Sequence, residues 1–314
     1  MTKTDHSSVG QGSRLNVAVI GLGMIGGVIA RRLLERDVYL VVFDVQSDTA
    51  TELVAAGARL AKSCADAAAQ ADVVIVAVVD DAQVREVMSP VEGVLATARP
   101  GTIAIIHSTV RLDTVRRVAA EAASRDVQVL DAGVSTLGEH DQGTLELFVG
   151  GESSTLNAAR PVLAHYTHDL DHLGPLGSGM TAKLLRNLLG YALMATAYEV
   201  FALAETVGVD LAAFRRVLEE SDVLGQAHRI FAMRTTHPVT ESDLALSYYK
   251  QFTELTGEQL VVALQRNAAH MAKDIDDALA LADDADFDLE ITPAARPLLR
   301  RLLLLPPGGL TTST

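Results

Sequence analysis

The sequence predicts a doubly wound, mostly parallel α/β sheet in the N-terminal half of the chain, followed by an all-helical domain. From Leu15 to about Leu173, short runs rich in Val and Ile alternate with amphipathic helical patterns. The apolar runs are continuous, as expected for parallel strands that helices cover on both faces. After Gly179 no strand-like run follows, and one helical pattern succeeds another. These three observations together predict the fold class.

Each apolar run of the first half is interpreted as a strand, with helices between them. The predicted strands are Asn16–Ile20, Tyr39–Phe43, Val73–Val78, Ile103–Ile106, Val127–Leu130 and Leu145–Val149. The predicted helices include Ile25–Glu35, Thr49–Ala56 and Leu112–Ser124. Cap signals agree with these bounds. Ser47 is expected to cap the second helix and Gly57 to end it, and Ser63 with Asp66 resembles a capping pair.

The change of pattern near Gly179 predicts two domains. Residues 15–176 are expected to form the sheet domain, and residues 177–305 the helical domain. The helical domain opens on a helix of roughly 28 residues, about 40 Å at the standard rise, which joins the two domains. Residues 1–14 and 306–314 are expected to be mobile tails.

The joining helix is apolar enough to be checked as a membrane span. Arg186, Asn187, Glu199 and Glu205 interrupt its most apolar stretch, and each would be costly in hydrocarbon. An apolar helix with such interruptions is typical of one buried in protein. We therefore expect no membrane segment.

Composition excludes several classes of partner. The formal net charge of the 314 residues is −14, which repels a phosphate backbone, so no nucleic-acid partner is expected. The N-terminus has no apolar core of a secretory signal, and Cys64 is the single cysteine, so a cytoplasmic location is expected. The nine histidines form no pattern of metal ligands, and we predict no metal site.

A glycine-rich loop follows the first predicted strand and opens the first predicted helix. It reads Gly21-Leu22-Gly23-Met24-Ile25-Gly26. In such a loop the first glycine permits a tight turn, the second lets a pyrophosphate approach, and the third allows close helix–strand packing. Asp44 stands at the end of the second strand, 18 residues after Gly26. This combination predicts a Rossmann dinucleotide-binding domain.

The residue at position 44 also indicates which dinucleotide binds. A carboxylate there accepts hydrogen bonds from ribose hydroxyls and repels a 2′-phosphate. The following Val45-Gln46-Ser47 offers no arginine for such a phosphate. The predicted cofactor is therefore NAD.

Seven short segments, taken in order along the chain, resemble the motifs of one known enzyme family. The segments, each followed in parentheses by the motif that it resembles, are Gly21–Gly26 (GLGxMG, with Ile25 in place of the methionine), Ser108-Thr109 (ST), Asp131–Ser135 (DAPVSGG), Gly143–Gly151 (GxLxxxVGG), Gly177–Asn187 (GxGxxxKxxxN), Lys273-Asp274 (KD) and Pro293 (a downstream proline). Over about residues 15–300 they resemble the β-hydroxyacid dehydrogenase family, which includes 3-hydroxyisobutyrate and tartronate semialdehyde dehydrogenases. The family is related to 6-phosphogluconate dehydrogenases and imine reductases.

The resemblance implies hydride transfer between NAD(P) and a small acid that carries a 3-hydroxyl or its carbonyl form. It also implies that Lys183 is the catalytic acid/base. The chemistry is consistent, because oxidising an alcohol requires a group that takes the hydroxyl proton. Burial in an apolar pocket lowers a lysine pKa toward working pH. Asn187 lies one helical turn after Lys183, so the two share a helix face, where Asn187 is expected to hold the substrate oxygen or the ammonium.

The resemblance also assigns residues that bind substrate and cofactor. Ser108, Thr109, Ser135, Thr136 and Lys273 are expected to bind the substrate. The cofactor set is Gly21, Gly23, Met24, Ile25, Gly26, Asp44, Val79, Thr109 and Lys273. Alternatives stay open: the hydroxyl groups are also suited to capping helices or turns, and Lys273 to a surface ion pair with Asp274. His107 is interpreted as structural.

One segment departs from the family pattern. Where the family has PVSGG, this chain has Gly133-Val134-Ser135-Thr136-Leu137, so side chains replace both glycines that approach the substrate carboxylate. The identity of the hydroxy acid therefore stays open.

Two alternative functions stay open. One is an imine reductase, although such enzymes usually lack a lysine at the position of Lys183. The other is a non-catalytic NAD-binding protein. The resemblance and the apolar joining helix predict a homodimer or homotetramer.

Overall fold

A computed structural model describes residues 15–135, 145–221, 257–295 and 297 of the chain. The chain divides into two compact units, Met1–Leu188 and Leu189–Thr314. The division falls inside a 29-residue helix, Ser178–Thr206, which confirms the long joining helix expected from the sequence. Thr136, which the resemblance assigned to the substrate site, lies outside the described residues.

The first unit contains one sheet. Its strands are β1 (Leu15–Ile20), β2 (Val38–Phe43), β3 (Arg59–Leu60), β4 (Val73–Val76), β5 (Ile103–Ile106), β6 (Gln128–Ser135), β7 (Leu145–Gly150) and β8 (Thr167–Gly174). They are ordered β3-β2-β1-β4-β5-β6-β7-β8. All neighbours pair in parallel except β6 and β7, which are antiparallel. The predicted mostly parallel, doubly wound sheet is therefore confirmed.

Some strand bounds differ from the prediction. β6 continues past Leu130 to Ser135, and β4 ends at Val76, before Val78. The extension of β6 contains Asp, Gly and Ser, which are depleted in strands, so only its pairing with β7 makes it a strand. The sequence analysis also missed β3 and β8. β3 is very short, and β8 is a largely exposed edge strand whose polar residues read as a loop.

Helices cover the sheet and begin close to their predicted positions. They are α1 (Met24–Leu34), α2 (Thr51–Ala55), α3 (Cys64–Ala68), α4 (Asp81–Met88), α5 (Leu112–Ala123), α6 (Ser153–Leu163) and the start of α7 (Ser178–Thr206). Gly57 follows α2 with a φ of +111°, as predicted, and the Ser63 hydroxyl accepts a 3.0 Å bond from the Asp66 N–H. The prediction for Ser47 was wrong, because this residue begins a 3-10 turn and caps nothing.

Each face of the sheet is covered by its own apolar cluster. Val19 and Ile75 belong to the cluster on one face, and Ile20 and Val76 to the cluster on the other. All four side chains are buried. This two-sided burial is the reason that the strand sequences are apolar at consecutive positions. It also fixes the carboxyl ends of β1 and β4 side by side.

The described part of the second unit is helical. It contains the rest of α7, α8 (Leu211–Glu220) and α9 (Gly257–Asp284). Leu203 of α7, Ala282 of α9 and Leu289 form its apolar cluster. The buried carboxylate of Glu199 accepts bonds from the N–H groups of Glu290 (2.7 Å), Ile291 (2.6 Å) and Thr292 (3.1 Å) and from the Thr292 hydroxyl (2.9 Å). Glu199 thereby ties α7 to the segment after α9.

By length and composition alone, α7 also qualifies as a membrane-crossing helix, the one such helix in the described part of the chain. Core helices of soluble proteins meet the same criterion. The burial expected from the sequence is not seen in the single chain, because 17% of the apolar stretch is buried, although the carboxylate of Glu199 is bound by protein N–H groups.

Candidate functional site

The glycine-rich loop lies where the strand order of the sheet reverses. Gly21 follows β1 with a φ of +88°, and a Cβ there would collide with the carbonyl oxygen of Ala77, just after β4. A Cβ on Gly26 would collide with the carbonyl oxygen of Gly21. Both positions therefore require glycine, so that α1 can start directly against the ends of β1 and β4. Ligands of open α/β sheets bind at this crevice.

The start of α1 fits a pyrophosphate. Gly23 is the N-cap residue and provides no side-chain cap, and a Cβ built on it would meet nothing within 4 Å. Met24, the first helical residue, is 75% exposed. An open helix N-terminus presents N–H donors and a favourable dipole to an anion. The loop residues named from the sequence therefore fit a dinucleotide.

Asp44 has a second role that the sequence did not reveal. Its carboxylate accepts a 2.7 Å bond from the N–H of Leu22, in the glycine loop, and a 2.8 Å bond from the N–H of Gln46. These bonds hold the carboxylate at the edge of the loop. Each carboxylate oxygen keeps a further lone pair, so ribose hydroxyls can still donate to it.

The residues after β4 and β5 lie at the same edge of the sheet. The buried Ser108 hydroxyl accepts a 2.9 Å bond from the Val78 N–H and joins the two loops. The side chains of Val79 and Thr109 are exposed at this edge, where a cofactor would pass. The alternative interpretation of Ser108 as a turn-stabilising residue is thus supported, while no described residue accepts the proton of its own hydroxyl.

His107 lies behind this edge, inside the sheet. Its Nδ1 donates to the carbonyl of Ala132 at 2.7 Å, and its Nε2 accepts from the Tyr166 hydroxyl at 3.0 Å. Burial lowers the pKa of His107 to about 4, so the ring is neutral. His107 therefore connects β5 to β6 through neutral hydrogen bonds, in agreement with its structural interpretation.

A buried carboxylate on β6 holds the first turn of α7. Asp131 accepts 2.6 Å bonds from the N–H groups of both Gly177 and Met180. Burial raises the pKa of Asp131, and the hydrogen bonds to the helix N–H groups oppose that rise. An aspartate at a helix N-terminus satisfies donors that would otherwise lack partners.

Glycines let α7 contact the sheet through backbone atoms. A Cβ on Gly150 of β7 would lie 2.8 Å from the N atoms of Ser178 and Gly179. A Cβ on Gly179 would lie 2.7 Å from the N atom of Gly150. Because backbone cannot yield as a flexible side chain does, the start of α7 has little freedom relative to β6 and β7.

Lys183 contacts the sheet one turn further along α7. A Cβ on Gly133 of β6 would lie 2.6 Å from the Cβ and 3.1 Å from the Cγ of Lys183, so only glycine leaves room for this stem. The side chain is half-buried. Burial lowers the pKa of Lys183, the charge of Arg186 lowers it further, and the charge of Glu146 raises it. A lowered pKa is the direction expected of a lysine that acts as acid/base, and the catalytic role of Lys183 stays a prediction.

Three further polar side chains belong to the surroundings of Lys183. Ser135 of β6 is buried, and its hydroxyl has no hydrogen-bond partner among the described residues. Glu146 of β7 pairs with Ser135 in the sheet register, and side chains of such a pair project to one face. Asn187 is half-buried one turn after Lys183 on α7. A buried hydroxyl without a partner is unusual and is suited to a ligand.

Lys273 lies on α9, in the second unit. Its ammonium contacts Asp277 at 2.8 Å and Asp274 at 3.1 Å. The hydrogen bond to Asp277, followed by that to Asp274, raises the pKa of Lys273. The surface ion pair weighed from the sequence is therefore present. The assignment of Lys273 to substrate and cofactor stays a prediction.

Comparisons with known proteins identify the family of the first unit. Residues 16–187 match the NAD binding domain of 6-phosphogluconate dehydrogenase. An uncharacterized oxidoreductase of Mycobacterium tuberculosis is 34% identical over 285 residues, which is 90% of each chain. An NAD-dependent L-serine dehydrogenase of Pseudomonas aeruginosa is 36% identical over 65% of this chain and 69% of that relative.

Solved structures confirm the fold. The Mycobacterium tuberculosis 3-hydroxyisobutyrate dehydrogenase solved with L-serine has a TM-score of 0.62 and 27% identity, covering 93% of this chain and 94% of that one. The V8 variant of an imine reductase from Myxococcus stipitatus, solved in complex with NAD+, has a TM-score of 0.74 at 16% identity, again covering 93% and 94%, which is a likeness of fold. The predicted resemblance, the two-part fold and the NAD cofactor are confirmed.

Proposed function

The chain belongs to the family that carries the NAD-binding domain of 6-phosphogluconate dehydrogenase, and we propose that it is an NAD-dependent dehydrogenase of small 3-hydroxy acids. The observation that supports this most is Lys183. It is half-buried against Gly133, its pKa is lowered, and the buried hydroxyl of Ser135, which has no partner among the described residues, shares its face. Two relatives are named as dehydrogenases of 3-hydroxy acids, one of L-serine and the other of 3-hydroxyisobutyrate.

In this proposal the chain moves one proton and orients the substrate. NAD, when bound, accepts the hydride from the carbinol carbon. Lys183 takes the hydroxyl proton on its Nζ during oxidation and returns it during reduction. Asn187, on the same side of α7, donates to the substrate oxygen and keeps it within reach of Lys183. A lysine whose pKa is lowered by burial has more of its neutral, basic form at working pH.

We assign the substrate carboxylate to hydroxyl donors at the edge of the sheet. Ser135 is the first of these, because its hydroxyl has no protein partner among the described residues. Thr109 is exposed next to Ser108 after β5 and supplies a second hydroxyl. Thr136 and Lys273 complete the proposed set, as the resemblance implies.

A substrate panel tests the proposal. Purified enzyme with NAD is offered L-serine, 3-hydroxyisobutyrate, 3-hydroxypropionate and a cyclic imine with NADH, and absorbance of NADH is followed. We expect turnover of at least one hydroxy acid, and a loss of kcat of roughly 10²–10⁴-fold in Lys183→Ala. Lys62→Ala, at an exposed lysine outside the site, is the matched control and should keep full activity. Turnover of the imine alone would favour the alternative reductase.

We also propose that the enzyme is a cytoplasmic homodimer or homotetramer. Along α7 the large apolar side chains Leu185, Leu188, Tyr191, Met194 and Tyr198 are each at least 60% exposed in the single chain. An apolar surface of this extent is typical of a face that another subunit covers.

A further inference from the structure

Glu146 is a charged residue of the site that the sequence motifs did not single out. It lies on β7 directly opposite Ser135 of β6. Two contacts show that this face of the two strands is the one against α7: the Cβ position of Gly133 reaches Lys183, and that of Gly150 reaches the N atom of Gly179. Glu146, Ser135 and Lys183 therefore occupy one face.

The carboxylate of Glu146 has no partner in the described part of the chain. No ion pair within 4.0 Å and no hydrogen bond joins it to another described residue, although it is half-buried. Among the described residues, the charged groups that act on the pKa of Lys183 are Arg186 of α7 and Glu146 of β7. Asp131 of β6 is occupied by the first turn of α7.

Oxidation removes the positive charge of Lys183, the ammonium whose pKa the charge of Glu146 raises. Lys183 has to be neutral before it can take a proton, so the nearest ammonium is lost in the working form. A substrate that is only an anion would then bring a second negative charge to a face that already has one. A substrate with a protonated amine supplies the missing positive charge.

We propose that Glu146 is a specificity-determining residue that selects 3-hydroxy acids carrying a protonated amine on the carbon between carboxylate and carbinol. This inference rests on the proposed function. The reaction is unchanged: the carbinol C–H bond breaks and its electron pair goes to NAD, the hydroxyl proton goes to Lys183, and an aldehyde forms. Glu146 neither donates nor accepts a proton or an electron in this reaction, and it acts on the substrate only through its charge.

Two hydroxy acids make a matched test, because serine and 3-hydroxyisobutyrate differ only in an ammonium against a methyl group on one carbon. Both enantiomers of each are assayed with NAD for wild type and Glu146→Gln. For the wild type, we expect the kcat/KM of the better serine enantiomer to exceed that of the better 3-hydroxyisobutyrate enantiomer by at least about tenfold. We expect Glu146→Gln to abolish this preference. Glu92→Gln removes the same charge from an exposed position outside this face and should leave the preference intact.

The outcomes separate this inference from the proposed function. If 3-hydroxyisobutyrate is turned over as well as serine, the proposed function stands and the inference is wrong. If Glu146→Gln keeps the preference and only moves the pH dependence, Glu146 acts on Lys183 alone and the inference is again wrong. If no hydroxy acid is turned over, the proposed function fails and the inference fails with it. Loss of preference in Glu146→Gln with retained kcat on 3-hydroxyisobutyrate supports it.

Discussion

Alanine at position 133 tests whether β6 sets the position of Lys183. The added Cβ would lie 2.6 Å from the Cβ of Lys183, whereas ordinary contacts begin near 3.4 Å. The carbonyl oxygen of Gly179 lies 3.2 Å from the same Cβ position, so a second contact is also tight. The Lys183 stem therefore has to move by about 1 Å in a close-packed region.

The displacement should affect chemistry more than binding. A misplacement of about 1 Å at a catalytic group costs about 10²-fold in rate, so Gly133→Ala should lower kcat by that factor. The dissociation constant of NAD should stay within about twofold, because the loop that starts at Gly21 is untouched. Overpacking should lower the free energy of unfolding by about 1–3 kcal/mol.

Steady-state kinetics, NADH fluorescence titration and denaturant unfolding measure these three quantities. Gly93→Ala is the matched control, because a Cβ there lies 2.5 Å from the N atom of Ser89, away from Lys183. It should lower stability and leave the kcat of the folded enzyme unchanged. A Gly133→Ala enzyme with kcat within about threefold of wild type would show that β6 does not position Lys183.

Further predictions concern the proton, the cofactor, the assembly and the fold. The rate of alcohol oxidation should rise with pH along a limb below the ordinary lysine pKa of 10.5, and Lys183→Arg should abolish activity because a guanidinium stays protonated. The kcat/KM for NAD should exceed that for NADP by at least about tenfold, and Asp44→Asn should reduce this ratio. Sedimentation at micromolar concentration should show a species of at least twice the 33.3 kDa chain, and a monomer alone would contradict the proposed assembly. Burial raises the pKa of Glu199, but the hydrogen bonds from Ile291, Thr292 and Glu290 together outweigh it and hold that pKa below its usual 4.5. The stability that these bonds contribute is therefore present above pH 4.5 and is lost as pH falls through the lowered pKa. Glu199→Gln should remove this pH dependence and lower the free energy of unfolding by about 1–3 kcal/mol.

The sequence predicted the parts of the site that depend on local signals. The glycine loop needs a strand, a tight turn and a helix within a few residues, and each signal is present around Gly21 and Gly26. Asp44 was predicted because it ends a strand at a fixed distance from that loop. Its bond to the Leu22 N–H was not predicted, because no spacing rule indicates which donors surround a carboxylate.

The rest of the site depends on pairings that sequence spacing does not show. Gln128–Ser135 reads as a short strand followed by a loop, since Asp131 and Gly133 are poor strand residues. Only the antiparallel pairing with β7 extends the strand and places Ser135 opposite Glu146. Without that register, Glu146 is one more acidic residue in an acidic chain.

The departure at Gly133 acquires a physical meaning from this register. From the sequence, the altered segment pointed to Thr136-Leu137 and a changed carboxylate wall. Gly133 stands where the family motif has proline, and it is this position that contacts Lys183. Proline carries a Cβ, and a Cβ at position 133 would lie 2.6 Å from the Cβ of Lys183, which is too close. The lysine stem therefore lies closer to β6 here than a proline would allow. The Lys183 stem lies against the face of β6 and β7 to which Glu146 belongs, so the glycine at position 133 and the acid on β7 both contribute to the surroundings of Lys183. Under the proposed function, specificity therefore depends on how near Lys183 lies to the sheet as well as on the carboxylate wall that the sequence first indicated.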